Sequence, residues 1–586
     1  MGQRRETAGL CALALLLCAI LLAGPKQLLT GDEPRYLIYS LSFWKTGGFA
    51  ATLHEWQRLL FEANGVETGE IPHGVDGTPT NGIYLPVVMS PIAGVFSLAG
   101  LRLATLIAGL IGLFHLNRLC KRVSAPGTAL IVTWIAAITM PLLPYLHLFY
   151  METFLFAFIC CGWERLQRSD RGPGGDLITA AIILAIPFIH LRGSVVAALL
   201  YCLLLWQLHR RGLGKRKAVF ALLGVSALIA LTGLNLAIYG RIDGPINVAR
   251  PPRPSEWFSN TAMQLFNVRH GLLAYAPIWV LGSSGLILGA VRGGAIARQG
   301  LILAAIVVAT ALGPNPGECW PARFWVQSIP MLAVGLCIWW QAARLPLLRF
   351  VAIVLLALTL LNTALFVDSP SSFLANRQTA ETYQSVFDQL GGGLDLALIL
   401  PAELDDPVNQ GASRNFAIGS GLFALSMALA AARRRSLYAL PAVLLLAAVA
   451  DLAHVRLLPS SSYAATIEPN RVALALKEPM RAGYVQIGRP WEVWSGWWNQ
   501  RRSFTVSTTA DGQEVEAVRA ANQVIPIVRA DKISDVIVRS EDRFDVGSET
   551  RYRLRVYRSA SMLRRWFPGI VGPERLASDE AALLQR

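Results

Sequence analysis

The chain has 586 residues, is 54% hydrophobic and only 16% charged, and carries a formal net charge of +15. A mean hydropathy of +0.45 excludes an ordinary soluble globular protein. The positive excess does not mark a nucleic-acid binder, because the arginines and lysines stand in short clusters between apolar runs rather than on one basic surface.

In chain order, residues 8–29 predict the first membrane span. With Arg4 and Arg5 ahead of it the segment imitates a signal peptide, but its length and the apolar chain that follows read as an uncleaved helix. Further spans are predicted at 101–118, 127–144, 147–164, 176–190, 193–209, 218–239, 271–290, 298–313, 323–343, 346–366, 413–431 and 437–456, about thirteen in all. Segment 82–98 is apolar but short, with Pro86 and Pro91 inside it. Read as an interfacial helix rather than a span, it leaves every basic cluster on one side: Arg4/Arg5, Arg118 to Arg122, Arg165 to Arg171, Arg210 to Lys217, Arg292/Arg298, Arg344/Arg349 and Arg433 to Arg435. That side is cytoplasmic, so the N-terminus lies inside and the loop 30–100, with its juxtamembrane helices, outside.

After residue 458 the pattern changes. GYVQIGRPWEVWSGWW, RSFTVSTTA, SDVIVRS and TRYRLRVYRS are short alternating runs separated by Gly, Asp and Asn turns. The expected fold is a polytopic all-α membrane domain over 1–458 joined to an external β-sandwich-like domain over 459–586. Trp491, Trp494, Trp497 and Trp498 suit either the core of that domain or stacking on sugar rings. The cysteines lie mostly in apolar segments without metal-type spacing, and the tail has none, so no disulfide framework supports it.

Candidate chemistry gathers at the outer ends of the spans. TGDEPRYL places Asp32 and Glu33 just after the first span, with Pro34 stiffening the exit. YLHLFYMETF puts Glu152 near the outer end of the fourth, where an ionisable group is expensive and points to function. AIPFIHLRG holds His190 and Arg192 at an outer turn, NVRHGLLAYAP carries Arg269, His270 and Tyr275, and GECWPARFW carries Arg323 beside Glu318 and Trp320. A carboxylate can take a proton from an acceptor hydroxyl, and the guanidinium fork suits a phosphate leaving group. Arg241, Arg250 and Arg253 are weaker candidates, since a loop arginine more often meets a lipid headgroup.

The motifs GDEPRYL, YMETF, GLLAYAP and PARFW resemble those of the GT-C superfamily of integral-membrane glycosyltransferases, and among them bacterial relatives of the protein O-mannosyltransferases and of the transferase that adds aminoarabinose to lipid A. The resemblance covers about residues 1–460. It implies an inverting transferase that moves a sugar from a polyprenyl-phosphate carrier to a lipid, glycan or protein hydroxyl at the outer face of a bacterial inner membrane. Asp32 would match the catalytic base, Glu152 the second acidic position and Arg323 a basic group near the donor phosphate. Several relatives carry a lysine where this chain has His190 and Arg192. Divalent metal use varies in the superfamily, and no cofactor or metal is assigned here. A lipid-linked glycan ligase or polymerase is the alternative, and a flippase a weaker one, because the polar residues sit at the rim rather than at the midplane.

Overall fold

The computed structural model describes residues 2–23, 29, 31–64, 79–245, 264–265, 271–311, 322–368 and 425, together with strand residues between 460 and 558. The chain divides into two compact units, one built from residues 1–257, 275–371 and 424–438, the other from 258–274, 372–423 and 439–586.

The first unit is helical. Its early elements are α1 (Gly2–Ala23), α2 (Glu33–Thr46), α3 (Leu53–Asn64), α4 (Tyr84–Cys120), α5 (Pro126–Ile138), α6 (Leu142–Leu146) and α7 (Met151–Leu166). There follow α8 (Pro173–Ile189), α9 (Ser194–Arg210) and α10 (Gly214–Tyr239). After a short turn at the sequence boundary between the units, α11 (Leu272–Tyr275), come α12 (Trp279–Val291), α13 (Ala295–Ala311), α14 (Ile329–Ala342) and α15 (Pro346–Asp368). Five helical stretches are long and apolar enough to cross a membrane: Arg4–Leu22, Tyr84–Cys120, Leu191–Arg210, Gly214–Tyr239 and Pro346–Ala364. The chain is a multi-pass membrane protein. Shorter apolar helices at Pro126–Ile138, Pro173–Ile189, Trp279–Val291 and Ala295–Thr310 accompany them. The expected spans 413–431 and 437–456 lie outside the described residues but for Leu425.

Local chemistry sets the boundaries. Pro34 occupies the first turn of α2, where its missing N–H costs nothing, Glu33 faces the positive helix start and Lys45 the negative end. Gly47, at φ 72°, closes α2 in the left-handed region and donates to Phe43 O at 2.9 Å. The segment expected as a separate interfacial helix is continuous with the next span within α4, but Ser97, at φ 53° and ψ −147°, interrupts the helical backbone between them. Glycines let α12 and α14 pack backbone to backbone. A Cβ added at Gly335 would stand 1.9 Å from Gly282 O, and one at Gly285 would stand 1.8 Å from Gly335 O.

The described strands of the second unit are β1 (Ser460–Ser461), β2 (Tyr463–Glu468), β3 (Arg471–Met480), β4 (Gly483–Ile487), β5 (Phe504–Ala510), β6 (Gln513–Ala520), β7 (Val524–Ile527), β8 (Ile533–Ser540) and β9 (Leu554–Arg558). They form two antiparallel sheets, ordered β1-β9-β4-β7 and β2-β3-β8-β5-β6. The tryptophans of WEVWSGWW fall outside the described residues.

Candidate active site

Three segments far apart in sequence meet around one guanidinium. Asp32 immediately precedes α2, Glu152 lies in the first turn of α7, and Arg323 begins a 3₁₀ turn (Arg323–Ser328) that leads into α14. Arg323 Nη1 stands 2.6 Å from Asp32 Oδ2, and its Nε donates to Glu152 Oε1 at 2.6 Å. Its guanidinium also covers the Tyr150 ring at 4.6 Å. Ala322, at φ 59° and ψ 28°, takes the left-handed conformation that launches the 3₁₀ turn, a geometry costing an alanine about 1 kcal/mol.

Glu152 is 1% exposed, and the dipole of α7 favours its charge. Its Oε2 finds no hydrogen-bond partner among the described residues. Arg192 Nη1 approaches Oε1 at 3.9 Å while the Arg192 guanidinium lies over the Phe324 ring at 3.7 Å. Asp32 is the open member of the group, with its side chain 22% exposed. The backbone N–H of Asp32 donates to the Tyr150 hydroxyl at 3.2 Å, which fixes where the carboxylate starts.

Electrostatics separate these groups. Burial would raise the Asp32 pKa, but Arg323, with help from Arg35 and Asn81, outweighs it and holds the carboxyl below its usual range. Burial alone would weaken the Arg323 charge; Glu152 and Asp32 reverse that and push its pKa up. His190 goes the other way: burial first, then Arg192 and Arg323, drive it down to about 3. The imidazole is therefore neutral at physiological pH, its Nδ1 accepting the Arg192 backbone N–H at 3.0 Å. Arg192, as a guanidinium, keeps its charge.

Glu33 has a different environment from its neighbour. Wholly buried, it takes Arg102 Nε at 2.9 Å and Nη2 at 2.7 Å, and its Oε1 also accepts the Phe149 N–H at 2.8 Å. It ties α2 to α4 and to the chain just before α7.

Asp32, Glu152, Arg192, His190 and Arg323 thus share one environment. Tyr275 is wholly buried, its backbone carbonyl accepting Asn362 Nδ2 at 2.8 Å. Arg269 and His270 lie outside the described residues, as do Glu318 and Trp320. Sequence reasoning missed Arg102, Arg35 and Asn81. For Arg102 a signal existed: a charge inside the apolar run LRLATLIAGL requires a buried partner at its own depth. Among the described residues, no group of three or more His, Cys, Asp or Glu side chains is placed to hold a metal. The arrangement offers a partly open carboxylate for proton transfer beside two guanidiniums suited to an oxyanion.

No family model matches the chain, and no curated protein does. Solved structures similar to it include ArnT from Cupriavidus metallidurans in the apo state, 17% identical with 78% of each chain covered and a TM-score of 0.41. The same protein bound to undecaprenyl phosphate is 17% identical over 76% of each chain, at a TM-score of 0.35. The oligosaccharyltransferase AglB from Archaeoglobus fulgidus, in complex with an inhibitory peptide and a dolichol-phosphate, is 13% identical, covering 68% of this chain and 59% of its own, with a TM-score of 0.38. At these scores the likenesses assign no role to any residue here.

Proposed function

We propose that the Asp32–Arg323–Glu152 cluster is the active site of an inverting glycosyltransferase. It moves a sugar from a polyprenyl-phosphate carrier to a hydroxyl acceptor at the outer face of a bacterial inner membrane. The observation that carries this reading is the sharing of one buried arginine between a buried and a partly open carboxylate.

In the reaction, Asp32 takes the proton of the acceptor hydroxyl while the oxygen attacks the anomeric carbon and the carrier phosphate departs with the bonding pair. Paired with Arg323, Asp32 is a weak base. A donor phosphate competes for the same guanidinium by charge-assisted hydrogen bonds, so its arrival loosens that pair and makes Asp32 more basic. Arg192, charged and stacked on Phe324, stands ready as a second phosphate ligand, a role that neutral His190 does not fill. Glu152 holds Arg323 when Asp32 lets go. Glu33 acts through Arg102 and Phe149 to fix the start of α2, and is a positioning residue.

The test incubates purified full-length protein with polyprenyl phosphates bearing defined sugars, adds lipid, glycan and peptide acceptors, and separates products by mass. One acceptor gaining a single sugar with inverted anomeric configuration is expected. Failure to transfer from every carrier-linked sugar, with the folded protein still binding the carrier, overturns the reading.

A further inference from the structure

The other end of α4 and α7 holds a second charged cluster that sugar transfer leaves unused. Glu164 is wholly buried in the last turn of α7. Arg168 Nη2 reaches its Oε2 at 2.6 Å, and His115 Nδ1 stands 3.2 Å from the same oxygen. Arg118 Nε lies 3.5 Å and Arg122 Nη2 3.8 Å from Oε1. Nearby acids are occupied: Glu6 pairs with Lys121 at 2.8 Å, and Asp170 acts on Arg168. One carboxylate therefore faces three guanidiniums, and Arg118 and Arg122 are each 39% exposed, at distances that leave most of their donors unclaimed by Glu164.

These two arginines end an apolar stripe. Leu103, Ile107, Ile111 and Phe114 are exposed at helical spacing along α4, position 118 continues the line, and Arg122 follows in the turn just past the helix end. The Arg118 guanidinium lies 5.7 Å from the Phe114 ring centre. From Arg102 to Arg118 the helix rises about 24 Å, close to the thickness of a bilayer's hydrocarbon core, which puts Arg118 and Arg122 at headgroup level in the leaflet opposite Asp32.

We propose that this end of α4 binds an anionic phospholipid, its phosphate held by Arg118 and Arg122 and its acyl chains lying along Leu103, Ile107, Ile111 and Phe114. The guanidinium fork matches a phosphate, and each basic group near an anionic lipid adds affinity. Glu164 gathers the three arginines without neutralising them all. A free phosphate would engage the arginines but gain nothing from the stripe.

The test is native mass spectrometry of the full-length protein in detergent, offered equal amounts of phosphatidylglycerol and phosphatidylcholine. Wild type is expected to retain phosphatidylglycerol, and excess inorganic phosphate should not displace it. R118Q/R122Q should weaken retention about thirtyfold and R122Q alone about fivefold. R118K/R122K should keep most of it, and R298Q, a change at another arginine, should match wild type. Equal retention of both lipids by wild type, unchanged retention in R122Q and R118Q/R122Q, or displacement of phosphatidylglycerol by inorganic phosphate or by an equal amount of polyprenyl phosphate would each overturn the proposal.

Discussion

Helix α7 carries a glutamate in its first turn and another in its last, each set among arginines, and the charge balance differs between the two surroundings. Around Glu152 the charges balance: Glu152 and Asp32 share Arg323, only 6% exposed, Arg192 stands by, and one Glu152 oxygen has no partner among the described residues. Around Glu164 the donors exceed the acceptors, and the arginines reach solvent. The helix dipole favours the first glutamate and opposes the second, so Glu164 depends on its cations while Glu152 does not rely on Arg323 alone. A balanced, mostly buried cluster with one partly open carboxylate suits proton transfer; a surplus of exposed donors suits an anion arriving from outside.

The sharpest way to break this contrast is Asp32→Asn, which keeps the volume and removes the base. Acceptor transfer should fall about a thousandfold in kcat/KM with little change in thermal melting, and a loss under tenfold would remove Asp32 from that role.

Next comes Arg323→Gln, which strands two carboxylates and should cost about 3–5 kcal/mol in stability, part of it recovered by adding Glu152→Gln. Its pH dependence carries a sign. In wild type the Asp32 pKa is depressed, so the stability from its pairing is fully present above the unfolded value of about 4 and lost as pH falls through the lower folded one. Without Arg323, burial acts with little opposition and raises that pKa. The variant should then gain stability on acidification where wild type loses it. Melting curves across pH check this, and parallel curves would refute it.

Glu33→Gln should cost about 2 kcal/mol by leaving Arg102 with a neutral partner, and should lower kcat more than it raises the donor KM. If donor KM alone changed, Glu33 would belong to donor binding rather than to positioning.

His190 gives a smaller effect. Its pKa is depressed to about 3, so the stability of its neutral form is present above the unfolded value of about 6.5 and lost as pH falls towards 3. His190→Gln should flatten the melting curve across that interval. An unchanged slope would show that His190 does not set it.

At the opposite end, Arg118→Gln in lipid-free detergent should shift stability by less than about 1 kcal/mol, because the pair is longer, partly exposed and backed by Arg168. A loss as large as that of Arg323→Gln would erase the distinction between the two clusters.

Much of this arrangement was legible in the chain. The long apolar runs located most of the helices, and the rim positions of Asp32, Glu152, Arg192 and Arg323 marked residues that the structure brings together. Adjacent letters in GDEPRYL gave no means of telling an open Asp32 from a fully engaged Glu33, because that depends on Arg102, some 70 positions on, and on the Phe149 N–H. The break at Ser97 was equally hidden, since a positive φ at a serine follows from packing rather than residue type. The protonation of His190 was open for a related reason: its own turn supplies Arg192, but burial, the largest cause, and Arg323, over 130 positions on, come from the fold.

The glycine contact between α12 and α14 bears on which changes this protein can tolerate. Alanine is ordinarily the mildest replacement for a helical glycine, yet at Gly335 a methyl group would meet the Gly282 carbonyl at 1.9 Å, with rigid backbone on the far side and no side chain to swing away. Only movement of a whole helix relieves that overlap, and α14 follows directly from the turn that begins with Arg323. A residue with no chemistry of its own, three turns from the charged cluster, therefore governs how well its central guanidinium is aimed, and random variants that lose activity should collect there as well as among the ionisable groups.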